Sequence, residues 1–266
     1  MQRVRFDADW LALREPADAA ARAPELVAPF AAALTAATPK SPRRLVDLGA
    51  GAGSNLRYLA PRLGIDGQHW RLIDHDENLL RRVVEPADVT VEPCRLDLAH
   101  DLAALSLAPG EVVTAAALLD LVSADWLDCF VRWLAGAPLL AVLTYDGRLS
   151  WTPADPDDAM VTTLFNRHQR RDKGFGPALG ATAADRLAAQ LAQAGYRVRR
   201  ASSPWRLGSG DAELQRRLLA GIAGAAIEED GSSKRVVKDW LARRLAAIAA
   251  GALACTVGHA DLVATL

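Results

Sequence analysis

Leu45-Val46-Asp47-Leu48-Gly49-Ala50-Gly51-Ala52-Gly53-Ser54-Asn55 reads as a short apolar strand ending in an acid, a glycine turn and the start of a helix. Glycine takes every second position from 49 to 53. After Asn55 the apolar residues Leu56, Leu59, Ala60 and Leu63 recur at i, i+3, i+4 and i+7, and Gly64 stands where a helix C-cap is expected. Strand, glycine turn and helix form the local architecture of a nucleotide-cofactor site. Glycine lets the backbone turn tightly and approach a ligand, and the helix N-terminus offers unpaired N–H groups to an anion.

The glycine spacing separates cofactors. A dinucleotide turn, Gly-x-Gly-x-x-Gly, would place its third glycine at position 54, which is Ser54. The spacing Gly-x-Gly-x-Gly, with Asp47 two residues ahead, resembles motif I of the class I S-adenosylmethionine (SAM)-dependent methyltransferases. The resemblance implies that Asp47, Gly49, Ala50, Gly51 and Asn55 hold the cofactor. Trp70-Arg71-Leu72-Ile73-Asp74-His75-Asp76 reads as a second strand with an acid at its carboxyl end, followed by a helix through Val84. An acid about 20 residues beyond such a glycine loop accepts hydrogen bonds from ribose hydroxyls, and Asp74 is placed for this. Asp76 is the competitor, with the alternative task of capping the next helix. His75 is expected to pack beside the cofactor.

A third alternating segment ends in Cys94-Arg95-Leu96-Asp97-Leu98. By resemblance, Asp97 meets the adenine amino group and Leu98 the ring; by its residue type alone, Asp97 caps a turn. Val112 to Val122 reads as a fourth, buried strand leading into a helix at Ser123. The resemblance places Ala115, Ala116 and Leu119 near the cofactor. It covers about residues 44–145, with the motifs in order.

The chain has 266 residues, 51% apolar and 24% charged, a composition that supports a folded core. Its net charge of −1 offers no global positive field for nucleic acid or anionic lipid. No apolar run reaches membrane-spanning length, and Met1 to Asp7 lacks a signal peptide's hydrophobic region. Three scattered cysteines, Cys94, Cys129 and Cys255, fit buried thiols in a reducing compartment, so a cytoplasmic location is expected. No acid and histidine set suggests a metal.

The expected fold is α/β: a Rossmann-like, doubly wound, seven-stranded, mostly parallel sheet. It carries an N-terminal helical segment and an inserted helical pair before the last strand. The expected division is a helical cap (1–42), a cofactor-binding core (43–145) and substrate-side elaborations with closing strands (146–266), all one domain. The alanine-rich segment 16–37 has two readings, a cover over the cofactor cleft or a helix packed on the sheet. A fifth strand spans Leu139–Tyr145, helical patterns follow at about 211–229 and 233–250, and Leu253–Leu266 closes the sheet.

Methyl transfer needs alignment and water exclusion, and a base only where the acceptor starts protonated with a high pKa. Candidate catalytic residues are His168, Tyr145 and Asp120, the last two beside strand ends. The segment from Tyr145 to about Gly180 is the candidate acceptor region, with Asp146, Trp151, Arg167 and Lys173 as binding candidates. Its charge run also reads as a solvated helix end. His259 reads as a core histidine. No Asn-Pro-Pro-Tyr or Asp-Pro-Pro-Tyr motif follows the fourth strand, which with the short elaborations favours a small-molecule acceptor. The alternatives are a non-catalytic SAM-binding scaffold and an NAD-dependent oxidoreductase.

Overall fold

The computed structural model describes residues 7–40 and 42–266; residues 1–6, on which most of the signal-peptide expectation rests, lie outside it. The sheet grows from β1 (Arg43–Leu48), whose last four residues are buried. β2 (Gln68–Asp74) pairs parallel on one side and carries β3 (Val89–Arg95), while β4 (Val112–Ala116) pairs parallel on the other and carries β5 (Leu139–Thr152). The connections are α3 (Ser54–Leu59), α4 (Glu77–Leu80), α5 (Leu98–Asp101) and α6 (Ala124–Leu134). Beyond β5 the sheet turns antiparallel: β8 (Ala254–Thr265) lies between β5 and β6 (Arg197–Ser202), and the short β7 (Trp205–Leu207) pairs with β8.

One face of the sheet is covered by α6 and α8 (Ala183–Gln193), through Leu127, Phe130, Leu187 and Leu191. The other is covered by α2 (Val27–Ala37) and α3, through Phe30, Leu34, Leu56 and Leu59. A third apolar cluster lies under α7 (Asp158–Gln169), α9 (Ala212–Glu229) and α10 (Lys234–Ala249). There Trp151 meets Trp240 edge-on, with ring centroids 5.4 Å apart. Among the described residues, no helix is long and apolar enough to cross a membrane.

The sheet is the expected one with an eighth strand, β7, added after the break at Ser203-Pro204. Three boundaries differ. β5 runs on to Thr152, because Leu149 and Trp151 continue the period-two alternation past Tyr145. α4 stops at Leu80 instead of Val84, since β-branched Val83 and Val84 and the pre-proline Glu85 disfavour further helix. The N-terminal segment is two helices, with α1 (Ala8–Ala21) beginning well before residue 16. Of the cysteines only Cys255 is buried; Cys129 is exposed.

Candidate active site

A cleft of about 560 Å³ opens at the carboxyl ends of β1, β2 and β4. Gly49 and Gly51 have φ of 67° and 53°, so the turn above β1 needs residues without a Cβ. The Ile73 carbonyl accepts from the Gly49 and Ala50 N–H groups at 2.9 and 3.0 Å, tying the turn to the end of β2. Asp74 completes that tie. Its Oδ2 accepts from the Gly51 N–H and its Oδ1 from the Asp76 N–H, each at 2.8 Å. A carboxylate has about four acceptor sites, so Asp74 keeps capacity for a ligand in the cleft it lines. His75 Nδ1 lies 3.4 Å from Asp74 Oδ1, and His75 Nε2 is buried without a partner among the described residues. Asp76 also caps α4 through the Asn78 N–H. Across the cleft, Asp97 caps α5 through the Ala99 N–H and lies 2.8 Å from His100 Nδ1. Leu98 lines the same wall.

Asp47 lies beneath the cleft and does not line it. Its Oδ1 accepts from Asn55 Nδ2 at 2.6 Å and Thr114 Oγ1 at 2.7 Å, while Oδ2 is buried without a partner among the described residues. Asn55 accepts in turn from Arg22 Nη1 at 2.7 Å. Burial pushes the Asp47 carboxyl up to about 6, against the hydrogen bonds from Thr114 and Asn55. The unfolded chain ionises this group near 3.8, so the fold keeps the proton longer. That contribution to stability is fully present below 3.8 and is lost as pH rises through about 6. Asp47→Asn, neutral throughout, is therefore expected to gain stability relative to the parent by about 2–3 kcal/mol between pH 4 and pH 8. Denaturant titrations at the two pH values measure it; an unchanged difference would refute the buried, strained charge.

The roof is α1. Leu11 comes within 3.6 Å of where a Cβ on Gly51 would stand, so α1 lies directly over the glycine turn. Glu15 pairs with Arg57 of α3 at 2.6 Å, and Asp18 accepts from Trp205 Nε1 at 2.9 Å. Arg22, at the end of α1, stacks over Tyr58 at 4.1 Å. The N-terminal segment thus does both things the sequence allowed: α1 covers the cleft and α2 packs on the sheet. Two non-glycine residues on the cleft wall are left-handed, Ala117 (φ 51°) and Leu143 (φ 56°). The Val142 carbonyl accepts from Ala117 at 3.0 Å, and Asp261 Oδ1 accepts from Leu143 at 2.7 Å. Such backbone costs about 1–2 kcal/mol per residue and persists where its surroundings hold it, often beside ligands.

The cleft gathers Gly49, Ala50, Gly51, Asn55, Asp74, His75, Asp97, Leu98 and Lys173 from the expected set. Ala115 and Leu119 are not among its lining residues. Both are buried in the core, and Ala116, Ala117, Leu118 and Leu121 line the cleft instead. The segment after Tyr145 is displaced because β5 carries it away along β8. Asp146 pairs with Arg148 at 2.5 Å, and Trp151 is buried against Trp240. Arg167 pairs with Glu229 at 3.1 Å, and His168 Nε2 lies 3.0 Å from Glu228. Tyr145 donates to Asn166 Oδ1 at 2.7 Å, and burial pushes its phenol up. Burial pushes Asp120 up to about 6, while Arg14 and Lys173, both lining the cleft, pull against that rise. His259 packs between Trp205 and Tyr145, and burial lowers it to about 4.

The sequence reading missed Arg14, Asp18 and Arg22. The usable signal was Arg14-x-x-x-Asp18, an i,i+4 pair that the structure bonds at 2.8 Å.

No protein-family model matches this chain, and no curated protein sequence does. Solved structures do. The cyclopropane synthase MmaA2 from Mycobacterium tuberculosis matches with a TM-score of 0.50 at 12% identity, over 96% of this chain and 94% of that one. A cyclopropane-fatty-acyl-phospholipid synthase-like protein from Lactobacillus casei matches with a TM-score of 0.52 at 15% identity, over 94% and 98%. At these identities the likeness establishes architecture: the chain has the Rossmann-like fold of the class I SAM-dependent methyltransferases.

Proposed function

We propose that this chain transfers a methyl group from SAM to a small-molecule acceptor. The observation that carries the reading is Asp74, a carboxylate fixed by the glycine turn and facing the cleft with acceptor capacity for a ribose diol. The cleft volume of about 560 Å³ lies in the range of small-ligand sites. The donors and acceptors around it suit SAM from end to end. Asp97 and Leu98 would hold adenine, with His75 beside the ribose. The turn at Gly49, Ala50 and Gly51 together with Asn55 would hold the methionine end, and Asp47 and Thr114 position Asn55 from beneath. Bound there, SAM supplies a methyl group on a sulfonium for in-line displacement. The residues of this chain align and desolvate: α1 roofs the cleft, and Lys173 and Phe175 wall its other end. Burial pushes Asp120, one residue from the cleft-lining Leu121, up to about 6, a range suited to taking a proton near neutral pH.

Calorimetric titration of ligand-stripped protein with SAM, S-adenosylhomocysteine (SAH) and NADH tests the reading. Micromolar binding of the first two without the third is expected. Binding of NADH alone, or of none of the three, would overturn it.

A further inference from the structure

Lys173 enters the cleft on the loop after α7 and is held from behind. Its Nζ lies 3.4 Å from His168 Nδ1, and His168 Nε2 lies 3.0 Å from Glu228 Oε2. The carboxylate accepts, so Nε2 carries the ring proton and Nδ1 turns its lone pair to the ammonium. This chain, Glu228–His168–Lys173, spans two helices and a loop, and it fixes the head of a side chain that is otherwise among the most mobile.

The partnering of Lys173 differs from that of the buried and half-buried arginines on the cleft wall; Arg62 and Arg82, also on the wall, are exposed to solvent. Arg14 is paired with Asp18, Arg57 with Glu15, and Arg22 donates to Asn55 while stacking on Tyr58. Among the described residues, Lys173 has no carboxylate within ion-pair distance. Its one hydrogen-bond partner among those residues is the His168 imidazole, which accepts one of three ammonium protons. Burial lowers the lysine's pKa; Glu228, behind His168, and more weakly Asp120 attract the ammonium from beyond ion-pair distance, while Arg171 repels it. A half-buried ammonium without an anionic partner is costly, and an anion arriving in the cleft would relieve that cost. Phe175, two residues on, lines the same wall with its ring set edge-on to Trp126 at 5.5 Å.

We propose that the acceptor carries a carboxylate or phosphate group that Lys173 binds, with His168 and Glu228 as positioning residues. The assignment rests on the methyltransferase reading of the same cleft.

The test titrates SAH-loaded protein with benzoate and phenyl phosphate, and with their neutral counterparts benzamide and benzyl alcohol. An anion preference of about tenfold or more is expected, and the better of the two anions separates carboxylate from phosphate. Lys173→Gln should abolish the preference at unchanged SAH affinity, and Lys173→Arg should keep most of it. His168→Ala should lower anion affinity by about three- to tenfold, with recovery in His168→Gln, which retains an acceptor and a donor. Equal affinity for charged and neutral probes, no binding of any probe, or a preference that survives Lys173→Gln would overturn the assignment. SAH affinity reads the cofactor assignment separately. If SAH fails to bind, the same titrations on cofactor-free protein still decide the role of Lys173.

Discussion

Asp74→Ala is expected to weaken SAM and SAH binding by about a hundredfold while leaving the chain folded. Two effects add. The ribose hydroxyls lose a charged acceptor, worth about 1.5–3 kcal/mol. The Gly51 and Asp76 N–H groups also lose the oxygens that hold them at 2.8 Å, so the turn above β1 is no longer tied to β2 by a side chain. The Ile73 carbonyl still accepts from Gly49 and Ala50, which is why the fold should survive. Asp74→Asn separates the contributions, since an amide offers one acceptor oxygen and must turn its NH2 toward one of the two backbone donors. Its loss should be intermediate. Calorimetry on both variants, with circular dichroism as the folding control, checks the expectation; parental affinity in a folded Asp74→Ala protein would refute it.

Asp261→Ala is expected to cost about 3–5 kcal/mol of stability, a fall in Tm of roughly 10 °C or more. The carboxylate is 1% exposed and accepts from the Leu143 N–H at 2.7 Å, the Ala23 N–H at 3.0 Å and the Ser203 hydroxyl at 2.5 Å. Alanine would strand all three donors in the interior and remove an anion facing the buried Arg22. Leu143 would also lose the bond that holds its left-handed backbone on the cleft wall. Asp261→Asn keeps one acceptor oxygen and should recover part of the loss. Thermal unfolding of the two variants measures this; a Tm shift under about 3 °C for alanine would show that the three donors find other partners.

The parallel half of the fold was legible because its signals are local. The alternation from apolar strand to glycine turn to helix sets β1 and α3, and acids at strand ends mark Asp74 and Asp97. What escaped was set by partners distant in sequence. α1 buries none of its residues outright, so its helix has no strong apolar stripe to read, and Pro16 in its interior looks like a first helical residue. Its cleft-facing side is built from Arg14, Glu15, Asp18 and Arg22, whose partners Arg57, Trp205 and Asn55 come from elsewhere in the chain. Aromatic and cationic composition between 145 and 180 suggested a single acceptor-binding segment. The continuation of β5 divides that segment, burying Trp151 against α10 and leaving Lys173 and Phe175 at the cleft. Pattern alone does not tell a pocket aromatic from a core one.

The Ala23–Asp261 bond has a consequence for how the molecule is made. Its ends are 238 residues apart, and at about 5–20 residues per second a ribosome needs roughly 12–50 s to deliver the second after the first. Through that interval the helix that roofs the cleft is held by Arg22 on Asn55 and Tyr58 but lacks the backbone tie of Ala23 to Asp261, and the gap between β5 and β6 stands open for the strand carrying Asp261. The parallel strands, their glycine turn and the helix above it can assemble on the nascent chain, yet the cleft-wall residue Leu143 gains the bond to its left-handed backbone only when β8 arrives. An incomplete polypeptide therefore carries an edge at β5 and three unpaired donors around the future place of Asp261, a state that a chaperone or protease can distinguish from the finished protein.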